Sequence, residues 1–208
     1  MRAALPDPLL SRKFLGRRFS LILGLSALNL AIGAVVSLLK LPIYLDSIGI
    51  VIAAIVLGAI PAILCGAVTC GVGFFLVNPY LPAYFGTSII IALLATLCRR
   101  LNLFRSLAFT IFSGLIIALG AALASAPVTV FIFGGATLSG ADAITAFFVS
   151  SGNALLESVL YAGLASEPVD KVLVCLIAFG VLRSLPKSFY SRNGLRGYRH
   201  ENNRHSTV

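Results

Sequence analysis

Apolar residues fill long runs along this chain, and polar residues gather between the runs rather than alternating with them. The run 19–39 is long enough to cross a bilayer, which takes about 20 residues. The next run, 47–77, is too long for one ordinary span. It breaks at Gly58 and Pro61, which disfavour a continuous helix, and so predicts two short helices, 46–59 and 61–77. Asn78-Pro79 and Pro82 mark a loop. A fourth span follows at 83–98 and a fifth at 106–126, stopped by Pro127. The stretch 133–142, "FGGATLSGAD", reads as another loop. The segment 143–165 is apolar and helix-like but carries Asn153 and Glu157, and 169–185 forms the last apolar run.

Basic residues orient these spans. Arg12, Lys13, Arg17 and Arg18 precede the first run, Arg99, Arg100 and Arg105 follow the fourth, and the basic tail begins at Arg183. Cytoplasmic flanks of membrane helices carry such an excess. If both 143–165 and 169–185 crossed the membrane, the tail would end outside, against that rule. The expected architecture is therefore an all-α integral membrane protein of six transmembrane helices with cytoplasmic N- and C-termini. An extra helix over 143–165 lies on, or dips into, the outer face before the last span. The organisation is a basic N-terminus at 1–18, a single transmembrane domain at 19–187, which the resemblance given below implies to be substrate-binding, and a disordered basic tail at 188–208. No internal repeat is convincing.

Composition supports this class. Of 208 residues, 59% are hydrophobic and 11% charged, with a mean hydropathy of +1.01, whereas soluble domains carry about 25% charge. The net charge of +9 sits at the two ends and in one short loop, which fits anionic lipid rather than nucleic acid. Cys65, Cys70, Cys98 and Cys175 all lie in apolar runs without metal-ligand spacing, so they read as small buried hydrophobes and no metal or cofactor is expected. No catalytic signature or ATP-binding motif is visible, and both histidines lie in the tail, so an enzyme is not expected.

The remaining chemistry gathers on the outer side: Tyr44, Asp46, Asn78, Tyr80, Tyr84, Asp142, Asn153, Glu157, Glu167, Asp170 and Lys171. Ionisable groups in a membrane protein are costly and face a cavity or a partner. Asp46 reads as a helix cap or a ligand contact, and the two are compatible. Glu157 pairs either with Lys171 or a backbone group, as a structural pair, or with a ligand donor. Asp170-Lys171 reads as an interfacial anchor snorkelling to water. Tyr44, Tyr80 and Tyr84 form either an aromatic belt or stacking walls for a flat heterocycle. Ala27 and Ala31, with Gly24 and Ala34 beside them, make a small-residue stripe for close helix packing, within the chain or against another subunit.

The segments "LPIYLDSIGIVIAAIVLGAIPAILCGAVTCG", "NPYLP", "SAPVTVFIFGGATLSGAD" and "DKVLVCLIAFGVLRSLPK" together resemble the substrate-binding S components of energy-coupling factor vitamin transporters. The resemblance spans most of residues 40–187. It implies six helices with cytoplasmic ends in a bacterial cell membrane, and an outward pocket for a water-soluble vitamin or precursor. By position, Tyr44, Asp46, Asn78, Tyr80, Tyr84, Asn153, Glu157 and Lys171 are its candidate substrate-binding residues. It also implies partners, a transmembrane coupling subunit and two ATPase subunits, with Ala27 and Ala31 as the docking stripe. The alternative is a small membrane scaffold or sensor-type domain without transport activity.

Overall fold

The computed structural model describes residues 8–137 and 139–184, and every regular element among them is helical. In chain order these are α1 (Pro8–Leu38), α2 (Ile48–Val56), α3 (Ala59–Leu76), a single 3-10 turn (Leu81–Tyr84), α4 (Phe85–Arg100), α5 (Leu107–Phe131), α6 (Asp142–Ser150) and α7 (Leu155–Ser184). Four stretches are long and apolar enough to cross a membrane: Gly16–Leu38, Ala59–Leu76, Leu81–Arg100 and Leu107–Phe131. Their outward faces carry the exposed apolar side chains, among them Phe75, Leu119 and Leu123, as expected of surfaces that meet lipid rather than water. The expected basic tail at 188–208 lies outside the described residues.

α2 is the centre of the molecule. All nine of its residues are buried, and it packs on α1, α3, α4 and α7. At about 1.5 Å per residue it is roughly 14 Å long, about half a hydrocarbon core. The segment 39–47 makes up the difference by descending into the bundle before α2 begins. Gly49 lets that start press on α1: a Cβ there would lie 2.2 Å from the Leu25 carbonyl oxygen. In the same place Asn29 Oδ1 accepts the Gly49 N–H at 2.6 Å, and Asn29 Nδ2 donates to Thr69 Oγ1 at 3.2 Å. One amide thereby joins three helices at mid-depth.

Small residues also set the α5–α7 contact, the most extensive in the bundle. A Cβ on Gly114 would meet the Val172 backbone at 2.7 Å, and one on Gly163 would meet Ala122 at 3.4 Å. Such residues let helices approach in lipid, where no hydrophobic force drives them together.

Several sequence boundaries are corrected. α5 does not stop at Pro127 but runs through it to Phe131. A proline this near a helix end removes few backbone bonds, and membrane bundles tolerate it where neighbours re-satisfy the freed groups. Here the Tyr84 hydroxyl pairs with Thr129 Oγ1 at 2.7 Å in that last turn. The larger correction concerns 143–165, which is not one helix. It divides at Gly152, whose φ of 92° is open to glycine, and its second half continues through Pro168 into the last apolar run as a single 30-residue helix. The polar run 166–171 is therefore the middle of α7, not a boundary.

Gly49→Ala is expected to destabilise the protein by about 1–3 kcal/mol or more through overpacking against α1. Gly71→Ala, with nothing near the added methyl, is expected to stay within about 0.5 kcal/mol of the parent. Thermal unfolding in detergent compares the two.

Candidate functional site

A carboxylate buried among helices needs hydrogen bonds or a countercharge, and Asp170 on α7 has both. Its Oδ1 accepts the backbone N–H of Tyr44 at 2.9 Å and of Leu45 at 2.7 Å. Its Oδ2 accepts from Lys171 Nζ. Two successive N–H groups converging on one oxygen form a backbone anion nest. Leu45 adopts a φ of 50° there, a left-handed conformation that costs a non-glycine residue about 1–2 kcal/mol. This clasp holds the 39–47 segment inside the bundle.

Above the clasp lies a cavity of about 150 Å³. Asp46, Ser47 and Ile50 bound it from α2 and its lead-in, and Asn29 and Gly33 from α1. Thr69, Cys70, Thr87 and Ser88 come from α3 and α4, Thr129 from α5, and Glu167 and Lys171 from α7. Toward the loops, Tyr44, Asn78, Tyr80, Tyr84, Thr137 and Ser139 complete the wall. At roughly 10–15 Å³ per water, this space suits a molecule the size of about ten waters.

The loop end is knit together. Tyr80 and Tyr84 pack at a tilt against Phe133, with centroids 4.6 and 5.8 Å away. Asp142 accepts from the Thr137 N–H and hydroxyl, both at 2.9 Å, and Asn78 Nδ2 reaches the Thr137 carbonyl at 3.5 Å. Gly140 lies on the 40–41 backbone, where a Cβ would sit 2.3 Å from the Leu41 oxygen.

Six of the eight expected substrate-binding residues, Tyr44, Asp46, Asn78, Tyr80, Tyr84 and Lys171, share this one cavity. Asn153 and Glu157 do not line it. Asn153 donates to the Phe148 carbonyl at 3.0 Å and closes the α6–α7 turn. Glu157 is exposed in the first turn of α7. Asp46 does not cap α2, since Ser47 holds that position. It packs instead against α1, where a Cβ on Gly33 would stand 3.2 Å from its own.

Asp170 and Lys171 are not interfacial anchors. They are 0% and 2% exposed, and Glu167 is 5% exposed. Lys171 Nζ is 3.2 Å from Glu167 Oε2, but the angle is not that of a hydrogen bond, and this oxygen has no hydrogen-bond partner. The Ser47 and Thr87 hydroxyls are also buried and unpaired. Glu167, Asn29, Ser47 and Thr87 were not among the expected site residues. Asn29 and Thr87 had a signal, a polar side chain within an apolar span. Among the described residues no group of acidic, histidine or cysteine side chains is arranged to hold a metal ion. Ala27 and Ala31 face outward from α1, both exposed.

Asp170→Ala is expected to cost about 3–5 kcal/mol, because it leaves Lys171 and two loop N–H groups without their partner. Thermal unfolding measures the loss. Hydrogen exchange at Tyr44 and Leu45 should rise with it.

Comparison of the chain with protein-family models, with curated proteins and with solved structures returns no match.

Proposed function

We propose that this protein is the membrane-embedded substrate-capture component of an energy-coupling-factor-type importer. It binds a water-soluble vitamin or vitamin precursor and works with a transmembrane coupling subunit and two ATPase subunits. The observation that carries this reading is the cavity. An apolar helical bundle has no structural need for a space floored by Asp46, Glu167 and Lys171 and lined by unpaired hydroxyls. Buried polar groups without partners are destabilising unless something else satisfies them. A polar guest supplies what the fold leaves unmet.

In this reading α1, α2, α3, α4, α5 and α7 are six membrane-inserted helices, with α2 as the short one, and α6 rests at the outer face. The arginines at the α4–α5 turn and at the end of α7 mark the cytoplasmic side. The ligand then enters from the loop end, passing Asn78, Tyr80 and Tyr84. Tyr80 and Tyr84, packed at a tilt against Phe133, give the cavity an aromatic wall suited to a heterocycle. The exposed small residues Ala27 and Ala31 give α1 a smooth outer face for the coupling subunit.

The test is calorimetry and thermal unfolding of the purified protein against a panel of water-soluble vitamins and their precursors, with mass spectrometry of small molecules that co-purify. The expected result is one compound that binds and raises the melting temperature. A panel without any binder, together with no co-purifying compound, would defeat the proposal. Asp46→Asn should weaken that binding about tenfold or more, while Glu157→Gln, away from the cavity, should leave it unchanged. Ala27→Leu should leave binding intact and lower energised uptake in vesicles holding the coupling subunit and ATPases.

A further inference from the structure

The polar end of the cavity is unbalanced in charge. Asp46, Glu167 and Asp170 lie within electrostatic reach of one another and of Lys171. Three carboxylates against one ammonium leave two formal negative charges in a protein interior, where bare charge is costly. Lys171 is the one cation among the described lining residues, and its hydrogen bond goes to Asp170, which is not itself part of the lining.

The three carboxylates are not equivalent. Asp170 is fully engaged by two N–H groups and the ammonium. Glu167 Oε2 is buried, lines the cavity and accepts no hydrogen bond. No side chain among the described residues donates to Asp46, which also lines the cavity and is partly open to it. Nearer the loops, Asp142 adds a fourth carboxylate, satisfied by Thr137 and Ser139. The surplus acceptors are therefore Asp46 and Glu167. The unpaired hydroxyls of Ser47 and Thr87, both more than nine-tenths buried, stand beside them in the same wall.

We propose that the ligand of this cavity is an organic cation, a molecule whose protonated amine, amidine or ring nitrogen seats between Asp46 and Glu167. The inference rests on the cavity being a substrate site and adds the charge class of the substrate. A cation with several N–H donors gives hydrogen bonds both to Asp46 and to the Glu167 oxygen, which is ion-paired with Lys171 but accepts no hydrogen bond. An anion would meet uncompensated like charge, which opposes binding. The aromatic wall of Tyr80 and Tyr84 favours a flat body for the rest of the molecule, and an aromatic face tolerates positive charge in it.

Benzamidine, benzamide and benzoate test this, since they share one planar shape and at neutral pH carry positive, zero and negative charge. Binding at millimolar concentration is read by calorimetry on the full-length protein in detergent. Benzamidine is expected to bind about tenfold or more tightly than benzamide, with benzoate undetectable. Asp46→Asn and Glu167→Gln, each shown to be folded by an unchanged unfolding transition, should each reduce that preference. Equal binding of benzamidine and benzamide would mean that protons already neutralise the cluster, and overturns the proposal. Preference for benzoate, or failure of all three, overturns it as well. The transport reading fails separately. It falls if the vitamin panel has no binder or if vesicles with the coupling subunit and ATPases take nothing up, whatever the charge preference.

Discussion

The Asp170 carboxylate is the constraint on which the rest of the architecture turns. A chain that enters a helical bundle without helical hydrogen bonds carries backbone N–H groups that no water satisfies. The 39–47 segment does this, and Asp170 accepts two of its donors, from Tyr44 and Leu45, while binding the Lys171 ammonium. That exchange lets α2 start at mid-depth, beside Asn29, instead of at the surface. It also fixes where Asp46 stands, one residue past the nest. Without the clasp the segment would have to lengthen α2 upward, and the space now lined by Asp46, Ser47 and Ile50 would fill with helix.

Small residues make the same arrangement possible from the other side. Gly49 admits the backbone of α1, Gly33 admits the Asp46 side chain, and Gly140 admits the 40–41 backbone. At Gly49 and Gly140 the approach is one that a side chain would forbid, and at Gly33 it is tight. Hydrogen bonds then hold what the glycines allow: Asn29 across α1, α2 and α3, and Asp142 within the loop after α5. Close packing and local polar satisfaction substitute here for the hydrophobic drive that lipid does not supply.

Much of this was legible in the chain. Long apolar runs named α1, α3, α4 and α5, and Gly58 marked the break between α2 and α3, where its φ of 98° confirms the need for glycine. Two physical facts hid the remainder. The run Ser166-Glu167-Pro168-Val169-Asp170-Lys171 has the composition of a surface turn. It is helical because its charges answer one another and a distant backbone, at separations of 125 and 126 residues that no local pattern encodes. Pro127 and Pro168 read as stops because local propensity says so, yet packing in the bundle overrides propensity. The site followed the same division. The loop residues Asn78, Tyr80 and Tyr84 were visible as polar punctuation, and Glu157 misled because an acid in an apolar stretch looks buried until the turn at Gly152 places it in the first, exposed turn of α7.

The segment 39–47 belongs to both ends of the cavity. Its first residues lie beneath Gly140 at the loops, and its last contribute Asp46 to the polar floor. Asp46 therefore sits on the same short piece of backbone that the Gly140 loop rests on. Under the proposed function a guest would act there, because no other side chain among the described residues hydrogen-bonds the Asp46 carboxylate. The rigid part of the device is Asp170, already satisfied and already holding Leu45. The cavity floor at Asp46 and the Gly140 contact at 40–41 are thus joined through fewer than ten residues of chain, with the Asp170 nest fixed between them.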